Sequence, residues 1–255
     1  MIIEQTSWTK GETKVVGPMI DVDFVCENGK KGRWLVTGSY RRNRSRIEKM
    51  IQDNPRVEEY LLLAVLEARK GYWNRAQTAV QKALELDGDH AGAKLLLAQI
   101  LEAKGELREA GVMYQECFHR HRRFSKGARE YARYLITHTD SLTLAQNVLF
   151  HSLEWNPKDA IAHTLLAEIY LLRGKTGQAL LHLRLAAQYY QANPLYHQRK
   201  AKVFMKMNRY EEAAEQLKQA LRMDPKNKII RSQFDMVKKA SKTPKIFFFW
   251  KKWVI

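Results

Sequence analysis

Asn208-Arg209-Tyr210-Glu211-Glu212-Ala213 decides the architecture of this chain, because Ala213 is the last rung of a ladder. Ala76, Ala110, Ala145, Ala179 and Ala213 recur at steps of 34, 35, 34 and 34 residues. Ala83, Cys117, Ser152, Ala186 and Ala220 keep the same steps, and Gly71, Gly105, Gly174 and Asn208 form a third row. Small residues at constant offsets with a period near 34 mark a helical repeat, in which each unit buries its apolar face only against its neighbours.

The first repeat shows the local logic. Tyr60, Leu63 and Ala64 open a helix that Gly71 closes, and Trp73, Ala76, Val80 and Ala83 carry a second helix to Leu86-Asp87-Gly88. Two antiparallel helices and a short turn follow. Ala64 and Ala76 let the paired helices approach closely, and Ala83 lets the next repeat dock. Gly71 suits a helix C′ position, where the backbone must turn left-handed.

In the last repeat Ala201, Phe204, the quoted hexapeptide, Leu217, Ala220-Leu221 and Met223-Asp224-Pro225 complete a pattern that resembles the tetratricopeptide repeat family. Leu97-Ala98, Leu101, Gly105, Leu107, Ala110 and Tyr114 repeat it, as do Leu166-Ala167, Tyr170, Gly174, Ala179, Leu183 and Ala186. The resemblance implies an all-α fold, a right-handed α-solenoid of about five helix pairs over residues 57–227. It also implies recognition on the concave surface lined by the first helix of each repeat. One family mode grasps a partner's terminal carboxylate with Lys and Asn; the corresponding positions here are Leu61, Val65, Leu95 and Gln99, so that clamp is absent. The expected groove is apolar at Leu61, Val65 and Leu95, basic at Arg129 and Arg133, and mixed at Thr164, Glu168, Leu172, Gln198, Lys202 and Met205. Such a lining suits a protein partner's helical or extended segment with an apolar end and acidic residues further on. The alternative is that the chain's own N-terminal segment fills part of it.

The third repeat departs from the pattern. Its extra residue is expected in the turn around His138 to Leu142, where Thr139 or Asp140 stands for the glycine, making that turn longer and mobile. Just before it, His119-Arg120-His121-Arg122-Arg123-Phe124, with Lys126, Arg129 and Arg133, is the most basic interior stretch. It reads either as solvated charge or as an RNA-binding patch.

The flanks differ in composition. Residues 1–39 alternate through Ile20-Asp21-Val22-Asp23-Phe24-Val25-Cys26, turn at Asn28-Gly29 and continue in Arg33-Trp34-Leu35-Val36, which predicts a β-hairpin. It would lean on the first helices or add to a partner's sheet edge. Residues 40–56 predict a basic capping helix and 228–241 a C-terminal one, with Ile229-Ile230, Phe234 and Val237 as its apolar face. In the tail, residues 242–255, the aromatics Phe247, Phe248, Phe249, Trp250 and Trp253 stand beside Lys251 and Lys252. As a helix, ten such residues rise about 15 Å, too little to span a bilayer core. The tail reads as an interfacial membrane anchor, as a segment held by a partner or membrane subunit, or as one folded back on the solenoid.

The formal charge of +17, with 44 Lys and Arg against 27 Asp and Glu, favours an anionic contact: an acidic protein, a membrane surface or, as the alternative reading, RNA or the ribosome. Cys26 and Cys117 are far apart in no zinc or redox spacing, and Cys117 occupies a rung held elsewhere by Ala or Ser. No secretory signal is legible at the N-terminus, so the expected location is the cytoplasm, with the tail on the inner face of a membrane. Nucleotide, metalloprotease and hydrolase motifs are missing, and His119, His121, His163 and His182 are too scattered to ligate a metal. The expected protein is a scaffold without catalytic residues or cofactors.

Overall fold

The computed structural model describes residues 39–189 and 193–242. The expected hairpin over 1–39, save its last residue, and the aromatic tail, including Phe247 to Trp253, lie outside the described residues. Among those described there are 12 α-helices and no strand: α1 (Tyr40–Asp53), α2 (Val57–Arg69), α3 (Trp73–Leu86), α4 (Ala91–Lys104), α5 (Leu107–Arg120), α6 (Ser125–His138), α7 (Leu142–Trp155), α8 (Ala160–Leu172), α9 (Thr176–Gln188), α10 (Pro194–Lys206), α11 (Tyr210–Met223) and α12 (Lys228–Lys242). They fall into two compact units divided between His121 and Arg122.

In the first unit α2 pairs with α3 and α4 with α5, while α3 packs on α4 and α1 on α2. In the second, α6 pairs with α7, α8 with α9 and α10 with α11; α8 also packs against both α6 and α10, and α12 lies on α11. The five helix pairs are the repeats read from the ladder. Ala76, Ala110, Ala145, Ala179 and Ala213 are each at 0% exposure, and so are Ala83, Ala186 and Ala220, with Cys117 and Ser152 at 1%. Each rung is small because a neighbouring helix occupies the space where a longer side chain would stand. The end helices α1 and α12 bury Ile47 and the pair Ile230 and Val237 respectively.

The turn row is equally specific. Gly71, Gly105, Gly174 and Asn208 take φ of 78°, 85°, 72° and 57°, the left-handed values that close a helix. Space is not the constraint at Gly174, since a Cβ there would meet nothing within 4 Å. Backbone strain is. Gly174→Ala should therefore lower the stability of the second unit by about 1 kcal/mol, read as a shift in its urea midpoint, with Gly174→Asn costing less.

The extra residue of the third repeat falls in its turn, as expected. That turn, Thr139 to Ser141, is one residue longer than the turn of the second repeat, Gly105 and Glu106. The helix C-cap Thr139 is extended, at φ −135°, and holds the end by hydrogen bonding: its amide donates to Leu135 O at 3.2 Å and its hydroxyl to the same oxygen at 2.8 Å. A threonine cap thus stands in this longer turn where the second repeat has the left-handed Gly105.

Candidate partner-binding surface

The first helices of the first unit are apolar on nearly every side. In α2, Leu61, Leu62 and Ala64 to Ala68 are buried; in α4, Gly92 to Leu96 and Ala98 to Leu101 are. A helix that is apolar all round is an interior helix. Leu61, Val65, Leu95 and Gln99 are consequently exposed by only 1, 0, 0 and 4%. They are packing residues where a groove lining was expected. Polar groups on these helices are engaged in the same way. Tyr40 Oη donates to both carboxylate oxygens of Glu67, at 2.9 and 2.8 Å, and Arg44 Nε lies 3.2 Å from Glu67 Oε1. Buried Lys94 pairs with Asp89 at 3.0 Å and Glu116 at 2.9 Å.

The second unit differs. Ile161 to Tyr170 of α8 are all buried, but the flanking helices α6 and α10 carry cations. Arg129 Nη1 contacts Asp159 Oδ2 at 2.7 Å, and Asp159 also caps α8 by accepting from the amides of Ile161 and Ala162, both at 3.0 Å. Arg133 Nε donates to Glu130 Oε2 at 2.7 Å. Glu168, exposed by only 2%, receives Lys202 at 2.8 Å, with Lys206 at 3.8 Å. Burial would raise the Glu130 carboxyl, but the guanidinium groups of Arg133, Arg199 and Arg129 outweigh it and hold the pKa below the usual carboxylate range. For Arg199 burial dominates: it pulls the guanidinium below its ordinary value against the attraction of Glu130 and Glu168.

Of the residues singled out from sequence, Arg129, Arg133, Glu168 and Lys202 thus belong to one polar cluster in the second unit. Glu130, Asp159, Arg199 and Lys206 join it without having been singled out. The signal for them was the repeat itself. Arg133, Glu168 and Lys202 occupy one repeat position, and Glu130, Leu165 and Arg199 another, at the ladder's own steps of 35 and 34. The basic interior stretch is also drawn into local contacts. Arg120 reaches Glu116 at 3.3 Å and Asp89 at 3.5 Å, His121 lies 3.6 Å from Asp89, and the Arg123 guanidinium sits 4.2 Å over the Trp155 ring.

Comparison with known families matches two stretches of the chain, residues 61–115 and 194–227, each to a model described as tetratricopeptide repeat. The chain carries tetratricopeptide repeats. Solved structures of similar fold include a thermophilic protein of this repeat type from Thermus thermophilus, 22% identical over 71% of this chain and 98% of that one, with a TM-score of 0.60. The Cut9–Hcn1 hetero-tetramer of the APC/C matches at 15% identity and a TM-score of 0.63, covering 83% of this chain and 42% of its own. PilF of Pseudomonas aeruginosa matches at 18% identity and 0.52, over 72% and 79%. At these identities the likeness is one of fold. No curated protein sequence matches the chain. Tetratricopeptide proteins are protein-interaction scaffolds and typically carry no catalytic activity.

Two features of this tetratricopeptide array concern its titratable groups. His163 of α8 and His182 of α9 face each other with their Nδ1 atoms 3.1 Å apart, so one ring donates and the other accepts. His163 Nε2 lies 3.2 Å from Pro157 O, the Tyr170 ring stacks on His182 at 5.2 Å and Tyr189 on His163 at 5.9 Å. Burial, and for His182 also the neighbouring histidine, depress both pKa values, that of His182 to about 4. Among the described residues no three His, Cys, Asp or Glu side chains come together in a way that could hold a metal ion. Cys117, on its rung, points at Ala91 O at 3.6 Å, and burial pushes its thiol up to about 12, far from thiolate reactivity. Among the described residues no helix is long and apolar enough to cross a membrane.

Proposed function

We propose that the protein is a binding scaffold or assembly factor that holds a helical or extended segment of a partner against the first-helix face of its second unit, within a multi-protein, membrane-associated complex. The observation that carries this reading is the cluster of Arg129, Arg133, Glu168 and Lys202 on α6, α8 and α10. These are charged groups grouped on one face, of which Lys202 retains 43% side-chain exposure. A structural core has no need of so many ions, whereas recognition uses charge to choose and orient a partner. The aromatic and lysine-rich run Phe247 to Trp253 supplies the link to a membrane or to a membrane subunit.

Capture of partners from native extract, identified by mass spectrometry, tests both parts. The double charge reversal Arg129→Glu with Arg133→Glu should reduce capture at least tenfold and remove its salt dependence. Removal of residues 246–255 should leave capture intact while shifting the protein from the membrane to the soluble fraction. Undiminished capture by the charge-reversed protein would end the assignment of this face, and unchanged fractionation would end that of the tail.

A further inference from the structure

Arg199 projects from α10 into the cluster and is half-buried. Its Nε is shielded from solvent and has no hydrogen-bond partner among the described residues. Guanidinium has five N–H donors and stays charged, so a sealed donor without an acceptor is a costly arrangement to keep. The surrounding carboxylates are already committed: Glu130 to Arg133 at 2.7 Å, Asp159 to Arg129 at 2.7 Å, and Glu168 to Lys202 at 2.8 Å. Five cations, Arg129, Arg133, Arg199, Lys202 and Lys206, stand beside three carboxylates, so Arg199 shares the attraction of Glu130 and Glu168 with cations that already bond them.

Resting on the reading of this face as the partner's seat, we infer that Arg199 is an anchor for a side-chain carboxylate of an extended acidic segment. The guanidinium fork matches a carboxylate in bidentate geometry. Arg199, Lys202 and Lys206 stand at i, i+3 and i+7, one stripe of α10. Residues four apart on a helix are about 6 Å apart along its axis, and alternate side chains of an extended chain about 6–7 Å apart. A segment with acidic residues at every second position can therefore place successive carboxylates along that stripe, the first at Arg199. A nucleic-acid backbone fits less well. Its binding rests on cations free to neutralise several phosphates, and here Asp159, Glu130 and Glu168 already pair with Arg129, Arg133 and Lys202.

Fluorescence polarisation of the full chain tests this with a fluorescein-labelled, C-terminally amidated Leu-Glu-Leu-Glu-Leu-Glu peptide, its Gln counterpart and a single-stranded RNA 12-mer. The glutamate peptide should bind, the Gln peptide and the RNA at least tenfold more weakly, and Arg199→Gln should lower glutamate-peptide affinity at least tenfold while Arg199→Lys retains part of it. The melting temperature of Arg199→Gln should equal or exceed that of the wild type, because the substitution removes a guanidinium whose sealed Nε has no acceptor in the free protein and whose burial outweighs its attraction to Glu130 and Glu168. Equal binding by Arg199→Gln, equal binding of the Gln peptide, or RNA binding with the same dependence on Arg199 overturns the inference. A lower melting temperature does too, since Arg199 would then be a structural counter-ion of Glu130. Partner capture that is lost on reversing Arg129 and Arg133 yet indifferent to Arg199→Gln sinks this inference alone and leaves the reading of the face standing.

Discussion

Replacing Ala179 with leucine should cost the second unit about 3 kcal/mol, the upper end of what overpacking usually costs. Ala179 is at 0% exposure in α9, on the rung that faces α8, and α8 is buried from Ile161 to Tyr170. Three added carbons have no free space to enter, and the two helices must separate or rotate to admit them. Both responses break the close-packed contact along the whole pair, since an interior helix with no solvent-facing side cannot shift without disturbing α10 on its other flank. Ala187, two turns further along the same helix, is exposed, and leucine there should change stability by less than about 0.5 kcal/mol. Urea denaturation of the two variants decides the matter: equal midpoints would mean that the rung is not the tight point of the repeat.

Acid provides the second large effect. The folded protein holds His163 and His182 neutral, with the His182 pKa at about 4, against an unfolded value of about 6.5. Between these two values the unfolded chain binds more protons than the folded one, so stability must fall as pH falls. The contribution is complete above pH ~6.5 and is lost progressively towards pH 4. From pH 7 to pH 5 the loss should reach about 2 kcal/mol, allowing for the partial solvent access of His182. The contact itself explains the direction, because a second proton would set two N–H groups against each other at 3.1 Å. Around the pair stand the Tyr170 and Tyr189 rings and Pro157 O, and the carboxylate that acts on it is Asp159, engaged by Arg129. His182→Gln should flatten the acid arm of the stability curve; if wild type and variant fall in parallel between pH 7 and 5, the pair is not the acid-sensitive element.

How much of this was legible beforehand depends on the range of the interaction concerned. The alanine rungs and the left-handed turn residues impose a local demand that repeats in every unit, so Ala179 and Gly174 announce their roles by position alone. Depth does not repeat in that way. Leu61, Val65 and Leu95 sit at positions that face outward in the repeat pattern, yet the helices carrying them are apolar all round and become interior. Counting did place the extra residue of the third repeat in its turn, though not the extended cap at Thr139 that holds it. Arg199 and Glu130 are 69 positions apart, and their relation exists only once α6 and α10 flank α8. The same holds for His163 and His182, whose meeting needs the pairing of α8 with α9.

The two kinds of column in the repeat also respond differently to change in copy number. Every unit offers nearly the same rungs, so a whole unit gained or lost would leave each remaining interface supplied with the small residues it requires. The position shared by Arg133, Glu168 and Lys202, by contrast, reads basic, acidic, basic, and the one shared by Glu130, Leu165 and Arg199 reads acidic, apolar, basic. Duplication or excision would rewrite that string of signs in a single event while the frame stayed sound. On the reading proposed for this face, partner choice can thus be re-specified in jumps of one module, without passing through intermediates that fail to fold.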